Sequence, residues 1–508
     1  MTAPVSFGQR IRDLADARGE QVALVFIDVD GSEAGITYRD LDRRSEALAH
    51  RLRAAGVGAN DLVGIVLRNS PEHVIAALAV WKVGATVLTI RWDVPDWERG
   101  RLLTAARPAA LIGETEGVDS STDAPLPMVP VNLSADDYKQ TGTTSLRLVD
   151  CTPKRLVAVP SGGSTGASKA IVMPIPGALV PGRAFGATSA TFGIEPIERH
   201  IVFAPLYHGN PFVMVHTSLF DGHTVILLEK FRTGLLIDAI ARHHPNFMTL
   251  APTMMKRMLD DPAIASVDWS CFHMILHGTG PCSAALKRQW IDLVGETRLW
   301  ETFASTELVG SLIVRGDEWL EHPGTVGRPS PTTELRVLDE SGAAVPTGTI
   351  GEIYMRTKGA GAPKFAYLGG DQAKVDTEGF VSVGDLGWVD EDGFVYSADR
   401  RADLIIRGGA NVVPAEVEAA LSEHPEVADC AVIGLADDDL GQRVHAVVVA
   451  RSPEHPPTIE ALERHCRDRL AAYKVPRGFE FVEALPRSDM FKIRRSALVA
   501  DRESTPGN

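Results

Sequence analysis

The run Ser161-Gly162-Gly163-Ser164-Thr165-Gly166-Ala167-Ser168-Lys169 decides how this chain is read. It packs three glycines, three serines, a threonine and a lysine into nine residues, directly after the apolar stretch Leu156-Val157-Ala158-Val159. A loop of this composition can turn backbone N–H groups and hydroxyls toward one point, as a phosphate chain requires. It is not the common nucleotide-binding loop, which needs Gly, four residues, then Gly-Lys-Ser/Thr. Here Ser168 precedes the lysine and Ala170 follows it, so a kinase or GTPase reading fails on spacing. Taken alone, the run is equally compatible with a flexible surface linker. The rest of the chain decides.

Four further stretches follow in order: Thr302-Phe303-Ala304-Ser305-Thr306-Glu307, Gly384-Asp385-Leu386-Gly387, Asp399-Arg400-Arg401-Ala402-Asp403 and Pro486-Arg487-Ser488-Asp489-Met490-Phe491-Lys492. With the first loop, this series resembles the AMP-forming adenylating enzymes: acyl-CoA synthetases, adenylation domains of peptide synthetases and firefly-type luciferases. The resemblance covers nearly the whole chain. Each motif alone is weak, but five in the same order are specific. Within that superfamily the first loop, His277-Gly278-Thr279-Gly280-Pro281-Cys282 and Gly408-Gly409-Ala410-Asn411-Val412-Val413-Pro414 look most like acyl-CoA synthetases of the fatty-acid and bile-acid kind.

Such enzymes turn a carboxylate, a poor electrophile, into an acyl-adenylate by attack on the α-phosphate of ATP; a thiol then displaces AMP. The resemblance implies that Ser161, Gly162, Gly163, Ser164, Thr165, Gly166 and Lys169 hold the β- and γ-phosphates. It gives Thr306 an α-phosphate contact, and Glu307 with Thr306 a Mg²⁺ ion, a hard cation that keeps its waters and phosphate ligands. Outside this series Glu307 would read as a solvated acid at a strand end. Phe303 is implied to pack on adenine beside a backbone strip of Gly278, Thr279 and Gly280. Asp385 is implied to accept from the ribose hydroxyls, and Arg400 to reach the ribose or phosphate. Lys492 would bridge the carboxylate and α-phosphate, and Gly408 and Gly409 would line a pantetheine tunnel, making CoA the expected acceptor.

The acyl pocket is less legible. His208, in Pro205-Leu206-Tyr207-His208-Gly209-Asn210-Pro211-Phe212, sits where the family places a gate beside the carboxylate. Phe212, Val213, Met214, Ala304 and Ser305 are expected pocket walls, and their character points to a hydrophobic small-molecule carboxylic acid. No acid resembles the aspartate that grips an amino-acid ammonium, which argues against amino-acid activation. Two residues depart from the family pattern: Ala402, where the hinge is usually Asp or Lys, and Phe491, where Gly usually precedes the lysine. They keep open an adenylating enzyme with another second step, such as an ATP-dependent amine diazotase activating nitrite, or acyl transfer to a carrier protein. A catalytically dead binding module is disfavoured by the retention of Lys169, Thr306, Glu307, Asp385, Arg400 and Lys492.

Bulk properties fit. A length of 508 residues exceeds what one core usually organises. The formal charge of −15, from 66 acidic and 51 basic residues, argues against a nucleic-acid partner. Cys151, Cys271, Cys282, Cys430 and Cys466 form no CxxC pair, so neither a disulfide framework nor a zinc site is expected, and a cytoplasmic protein is. The first twenty residues carry Arg10, Arg12, Asp13, Asp16, Arg18 and Glu20 and do not read as a signal peptide; no run is apolar enough for a membrane span. His243-His244 and the remaining histidines lack metal-ligand spacing and read as structural. Whether the chain is a monomer or a homodimer is not legible.

Short apolar strands alternate with helical segments over the first hundred residues and again from His200 to Leu276, predicting parallel sheets covered on both faces. From Gly324 to Val383 glycines and prolines punctuate short alternating strands, predicting a small barrel-like antiparallel unit. The tail reads as a mobile α+β domain, with helices over Pro414–Ser422 and Thr458–Tyr473 and strands over Asp429–Leu435, Arg443–Ala450 and Phe479–Ala484. Residues 115–150 and 451–457 read as loops. The expectation is therefore an α/β chain: an AMP-binding adenylation domain over 1–400, of two parallel-type α/β layers plus the barrel-like unit, and a small C-terminal domain over 401–508 carrying the lysine.

Overall fold

The computed structural model describes residues 3–114, 117–119, 121–122, 126–132, 147–162, 168–182, 197–359, 364–369, 372–400, 403–407, 410–437, 440–487, 493 and 495–503. The expectations placed on Gly163, Ser164, Thr165, Gly166, Ala402, Gly408, Gly409, Phe491 and Lys492 lie outside those residues. For Ser161, Gly162, Lys169 and Arg400 the backbone alone is described.

Among the described residues, two large mixed sheets dominate. In the first, Val157–Gly162, Thr86–Thr89, Leu62–Ile65, Ala110–Gly113 and Leu126–Pro130 lie side by side in parallel. Thr86–Thr89 and Ala110–Gly113 are buried along their whole length, as strands covered on both faces must be. In the second, Leu299–Ala304, Met274–Gly278, Phe247–Leu250, Arg199–Val202, Thr224–Leu228 and Val22–Ile27 run parallel, with antiparallel strands at both edges. One apolar cluster joins residues of both sheets, including Leu24, Val63, Val87 and Val225, through the helix Pro71–Lys82. That helix is buried on every side except at Glu72.

Local sequence explains the boundaries. Thr37 caps the helix Tyr38–Ala54: its Oγ1 accepts from the Asp40 N–H at 3.1 Å, and the Asp40 carboxylate accepts from the Thr37 N–H at 3.4 Å. Pro71 opens the next helix, where its missing N–H costs nothing. Behind them Lys82 reaches Asp42 at 2.5 Å and Glu46 at 2.9 Å, and Arg12 reaches Glu46 at 3.1 Å, tying three helices through buried charges.

The barrel-like unit is present: Thr333–Leu338, Gly351–Thr357, Lys374–Val375, Val381–Ser382, Asp385–Val389 and Val395–Arg400 pair antiparallel throughout. The small C-terminal domain has a sheet of Ala410–Val412, Ile405–Arg407, Gly441–Ala450, Val427–Asp437 and Gly478–Phe481. Its core includes Val417, Leu421, Val432, Val444 and Leu462. We propose the boundary at residues 401–404, between Val395–Arg400 of the barrel-like unit and Ile405–Arg407 of this sheet.

Two expectations need correction. The stretch 115–150, read as loop, contributes Gly117–Asp119 and Leu126–Pro130 to the first sheet. Pro127 and Pro130 disguise the second strand, yet near a sheet edge such prolines are tolerated. The helix expected over Thr458–Tyr473 covers only Ile459–Arg467. Beyond it the chain continues as a turn, with the Leu470 N–H donating to the Cys466 carbonyl at 2.8 Å. Among the described residues no helix is long and apolar enough to cross a membrane.

Candidate active site

Ligands of open α/β sheets bind outside the carboxyl ends of the strands. In the second sheet that end forms a cleft. Thr249, Leu250 and Ala251 line it from one strand end, Leu276, His277, Gly278 and Thr279 from the next, and Thr302 from the third. Ala204 and Met254 complete it, with Asn210 and Pro211 from the start of the helix Gly209–Asp221.

Gly278 pairs in register with Thr302, and a Cβ at Gly278 would lie 2.6 Å from the Thr302 carbonyl oxygen. Only glycine lets the two strands close there. The chain then bends sharply: Thr279 takes φ +70, which a threonine adopts only where its surroundings enforce it. Beside it, a Cβ at Gly280 would meet nothing within 4 Å. Two cleft residues carry a buried oxygen without a protein partner, Thr279 Oγ1 and Asn210 Oδ1, and Ser305 Oγ, just past the strand Leu299–Ala304, is a third. Buried polar atoms are nearly always bonded, so this cluster fits a polar ligand such as a nucleotide bearing an acyl group.

Glu307 is only 7 % exposed and lies in the turn Ser305–Leu308 after the strand Leu299–Ala304. The Tyr367 hydroxyl donates to its Oε1 at 2.6 Å. Burial, and then the carboxylate itself, push the Tyr367 phenol well above its ordinary value, so it remains a donor. Tyr367 lies on the strand Ala366–Leu368, which pairs with Ser168–Val172, and that strand pairs with Val157–Gly162. Lys169 is thereby opposite Ser161, and the glycine-rich run becomes the connection of an antiparallel hairpin. One hydrogen bond thus ties the hairpin to Glu307. A buried carboxylate with an oxygen to spare fits a magnesium ion that brings its own phosphate ligands.

The remaining expected residues lie in the Glu307 turn and its strand, on the barrel-like unit and at the start of the helix Gly209–Asp221. Thr306 is half-buried in the turn with Glu307. Phe303 is half-buried and packs against the cluster of Val309, Leu312 and Ile353. Asp385 begins its strand after Gly384, at φ +89, and its Cα partner on the next strand is Arg400. His208 is the residue before the helix Gly209–Asp221, with its ring 4.6 Å from that of Tyr207.

None of the five expected walls lines the cleft. Phe212 is 1 % exposed, with Trp81, His73 and His216 around its ring. Helical spacing sets Phe212, Val215 and Leu219 toward the core. Val213 packs on that core and Met214 on a separate cluster, so the first turn, Asn210 and Pro211, meets the cleft instead. Ala304 is exposed at the end of its strand, while Ser305 presents its buried hydroxyl.

Sequence reasoning also missed a polar layer behind the strand ends. His277 and Glu301 are register partners, so their side chains share the sheet face opposite to Thr302. Lys287 on the helix Ala284–Val294 bonds Glu301, whose carboxyl burial nevertheless raises. Burial, and then Lys287, hold His277 well below the usual histidine range, so it is neutral. Lys287 and Glu301 carry no motif; only the fold brings them together.

Known proteins resemble this arrangement. The AMP-binding enzyme family matches residues 11–362, and the AMP-binding enzyme C-terminal domain matches 416–492. The 2-succinylbenzoate–CoA ligase of Bacillus licheniformis is 29 % identical, over 91 % of this chain and 94 % of that protein. A feruloyl-CoA synthase of Amycolatopsis is 31 % identical, over 91 % and 93 %. The solved structure of o-succinylbenzoate coenzyme A synthetase from Bacillus subtilis, with ATP and magnesium ion, superposes with a TM-score of 0.81 at 24 % identity, covering 98 % of this chain and 100 % of that one. Motif order, fold and these matches agree, and the chain belongs to the AMP-binding enzyme family.

Proposed function

We propose that the protein is an AMP-forming acyl-CoA ligase, an acid–thiol ligase that uses ATP and Mg²⁺ to join a small carboxylic acid to CoA. The observation that carries this reading is the Tyr367–Glu307 bond. It ties the strand beside the glycine-rich hairpin to the Glu307 turn, which follows a strand that ends at the cleft.

In the first half-reaction a carboxylate oxygen of the acid attacks the α-phosphorus of ATP, and the bond to pyrophosphate breaks. Ser161, Ser164, Thr165 and Lys169 hold the β- and γ-phosphates, and Thr306 the α-phosphate. Asp385 and Arg400 hold the ribose, Phe303 and the Gly278–Gly280 strip hold adenine, and His208 borders the carboxylate. Bound at Glu307, magnesium would screen the triphosphate charge. Lys492, a compact point charge on a flexible stem, bridges the two anions as they close. In the second half-reaction the CoA thiolate attacks the acyl carbon and the bond to AMP breaks, with Gly408 and Gly409 making room for the pantetheine arm. Five free cysteines accord with a reducing compartment, which we take to be the cytoplasm. The resemblance to fatty-acid and bile-acid enzymes is left as an expectation, since the two relatives named above are, by name, ligases of aromatic acids.

Pyrophosphate and thioester formation, measured over a panel of acids with and without CoA, tests the reading. Acid-dependent pyrophosphate release together with CoA-dependent thioester is expected. Pyrophosphate without any thioester would assign another second step, and neither product with any acid would overturn the assignment.

A further inference from the structure

The acid-binding end of the cleft is shallow and partly polar. Thr249 and Leu276 are register partners, as are Gly278 and Thr302, so Thr249, Leu276 and Thr302 face the cleft from the same side of the sheet. Both threonines are half-exposed there. Asn210 faces them from the first turn of the helix Gly209–Asp221, with its Oδ1 buried and without a partner. Below this row the space is filled. Met214, one turn further along the same helix, packs against the cluster of Phe247, Met274, Leu276 and Trp300. Among the described residues, then, an acceptor oxygen awaits a donor in a cleft beneath which Met214 packs on that cluster.

Resting on the acyl-CoA ligase reading, we propose that this pocket selects a compact acid bearing a hydrogen-bond donor, a hydroxyl or N–H, which Asn210 reads while Met214 excludes long alkyl chains. A buried acceptor left unsatisfied penalises the analogue that lacks the donor. The discrimination therefore lies in Asn210, and the length limit in the packing of Met214.

The test compares kcat/KM for matched acids: benzoate with its hydroxybenzoates, 3-phenylpropanoate with its hydroxylated forms, naphthalene-1-acetate with indole-3-acetate, and butanoate through dodecanoate. In the wild type a donor-bearing member is expected to exceed its plain partner by about ten- to a hundred-fold, with decanoate and dodecanoate poor. Asn210→Leu should collapse that ratio toward one. Met214→Gly should raise decanoate use by about ten-fold. Asn210→Ser, which keeps a short hydroxyl, should retain part of the preference, and thermal melts establish that each variant is folded. Plain acids equal to or better than donor-bearing ones, an unchanged ratio in folded Asn210→Leu, or dodecanoate turned over as well as compact acids would each overturn the inference while leaving the ligase reading intact. If no acid in the panel yields AMP, the ligase reading itself fails and takes this inference with it.

Discussion

A buried carboxylate needs donors, and Glu307 takes one from a tyrosine 60 positions away. Nothing local in the sequence marks Tyr367, because its partner is set by strand pairing rather than spacing. Glu307 stands out in the sequence because Thr306-Glu307 belongs to an ordered series of motifs, as do Gly278 and Asp385. The structure adds that the close strand contact of Gly278 admits no Cβ and that the sheet register sets Asp385 opposite Arg400. Asn210 escaped notice because an asparagine at a helix start usually reads as a cap, and its unpartnered oxygen appears only in three dimensions. Tyr367→Phe tests the Glu307 assignment. Losing a hydrogen bond to a charged group costs about 1.5–3 kcal/mol. We expect acid-dependent pyrophosphate release to fall by roughly ten- to a hundred-fold and its half-saturating magnesium concentration to rise. A magnesium titration superimposable on that of the wild type would separate Glu307 from the metal.

The elements were read most reliably where the local signal was strong. The helix Pro414–Ser422 has the bounds that its leading proline gave it. Leu126–Pro130 was lost because its prolines imitate a loop, and the helix Ile459–Arg467 stops before its amphipathic pattern does. Nor could local pattern reveal that the helices Phe7–Arg18, Tyr38–Ala54 and Pro71–Lys82 meet through buried charges. Burial alone would raise Glu46, but Lys82, the Leu148 N–H and Arg12 outweigh it and hold its carboxyl below the usual range. A depressed carboxylate contributes stability above its unfolded value, about pH 4.3, and loses it as pH falls through the folded value. Lys82→Met should destabilise the protein by about 3 kcal/mol near neutrality, because Asp42 and Glu46 lose their shared buried partner and keep only Arg147 and Arg12. Without Lys82 the Glu46 carboxyl rises from its depressed position, so the deficit should shrink toward acid pH as Glu46 protonates. Urea denaturation at pH 7.5 and pH 4.5 checks this: an equal deficit at both would mean that Glu46 does not depend on Lys82.

At the scale of the whole molecule, function follows from where the sheets end. The parallel strands of the second sheet deliver Thr249, Leu276–Thr279 and Thr302 to one cleft, and the edge of the first sheet supplies the hairpin that Tyr367 ties to Glu307. The barrel-like unit adds Asp385 and Arg400, and the small domain, with its own core, carries the stretch leading to Lys492. This division of labour is the one the ordered motifs lead us to expect. The acid's identity is not legible in them, because a pocket is built from single residues on several elements. The central claim is that the acid's own oxygen attacks the α-phosphorus. It is tested most directly by supplying an acid that supports turnover, labelled with ¹⁸O in both carboxylate oxygens, together with ATP, magnesium and CoA. The account predicts AMP carrying one labelled oxygen, alongside unlabelled pyrophosphate and the acyl-CoA thioester. Label in pyrophosphate or inorganic phosphate, or AMP formed without label, would contradict it.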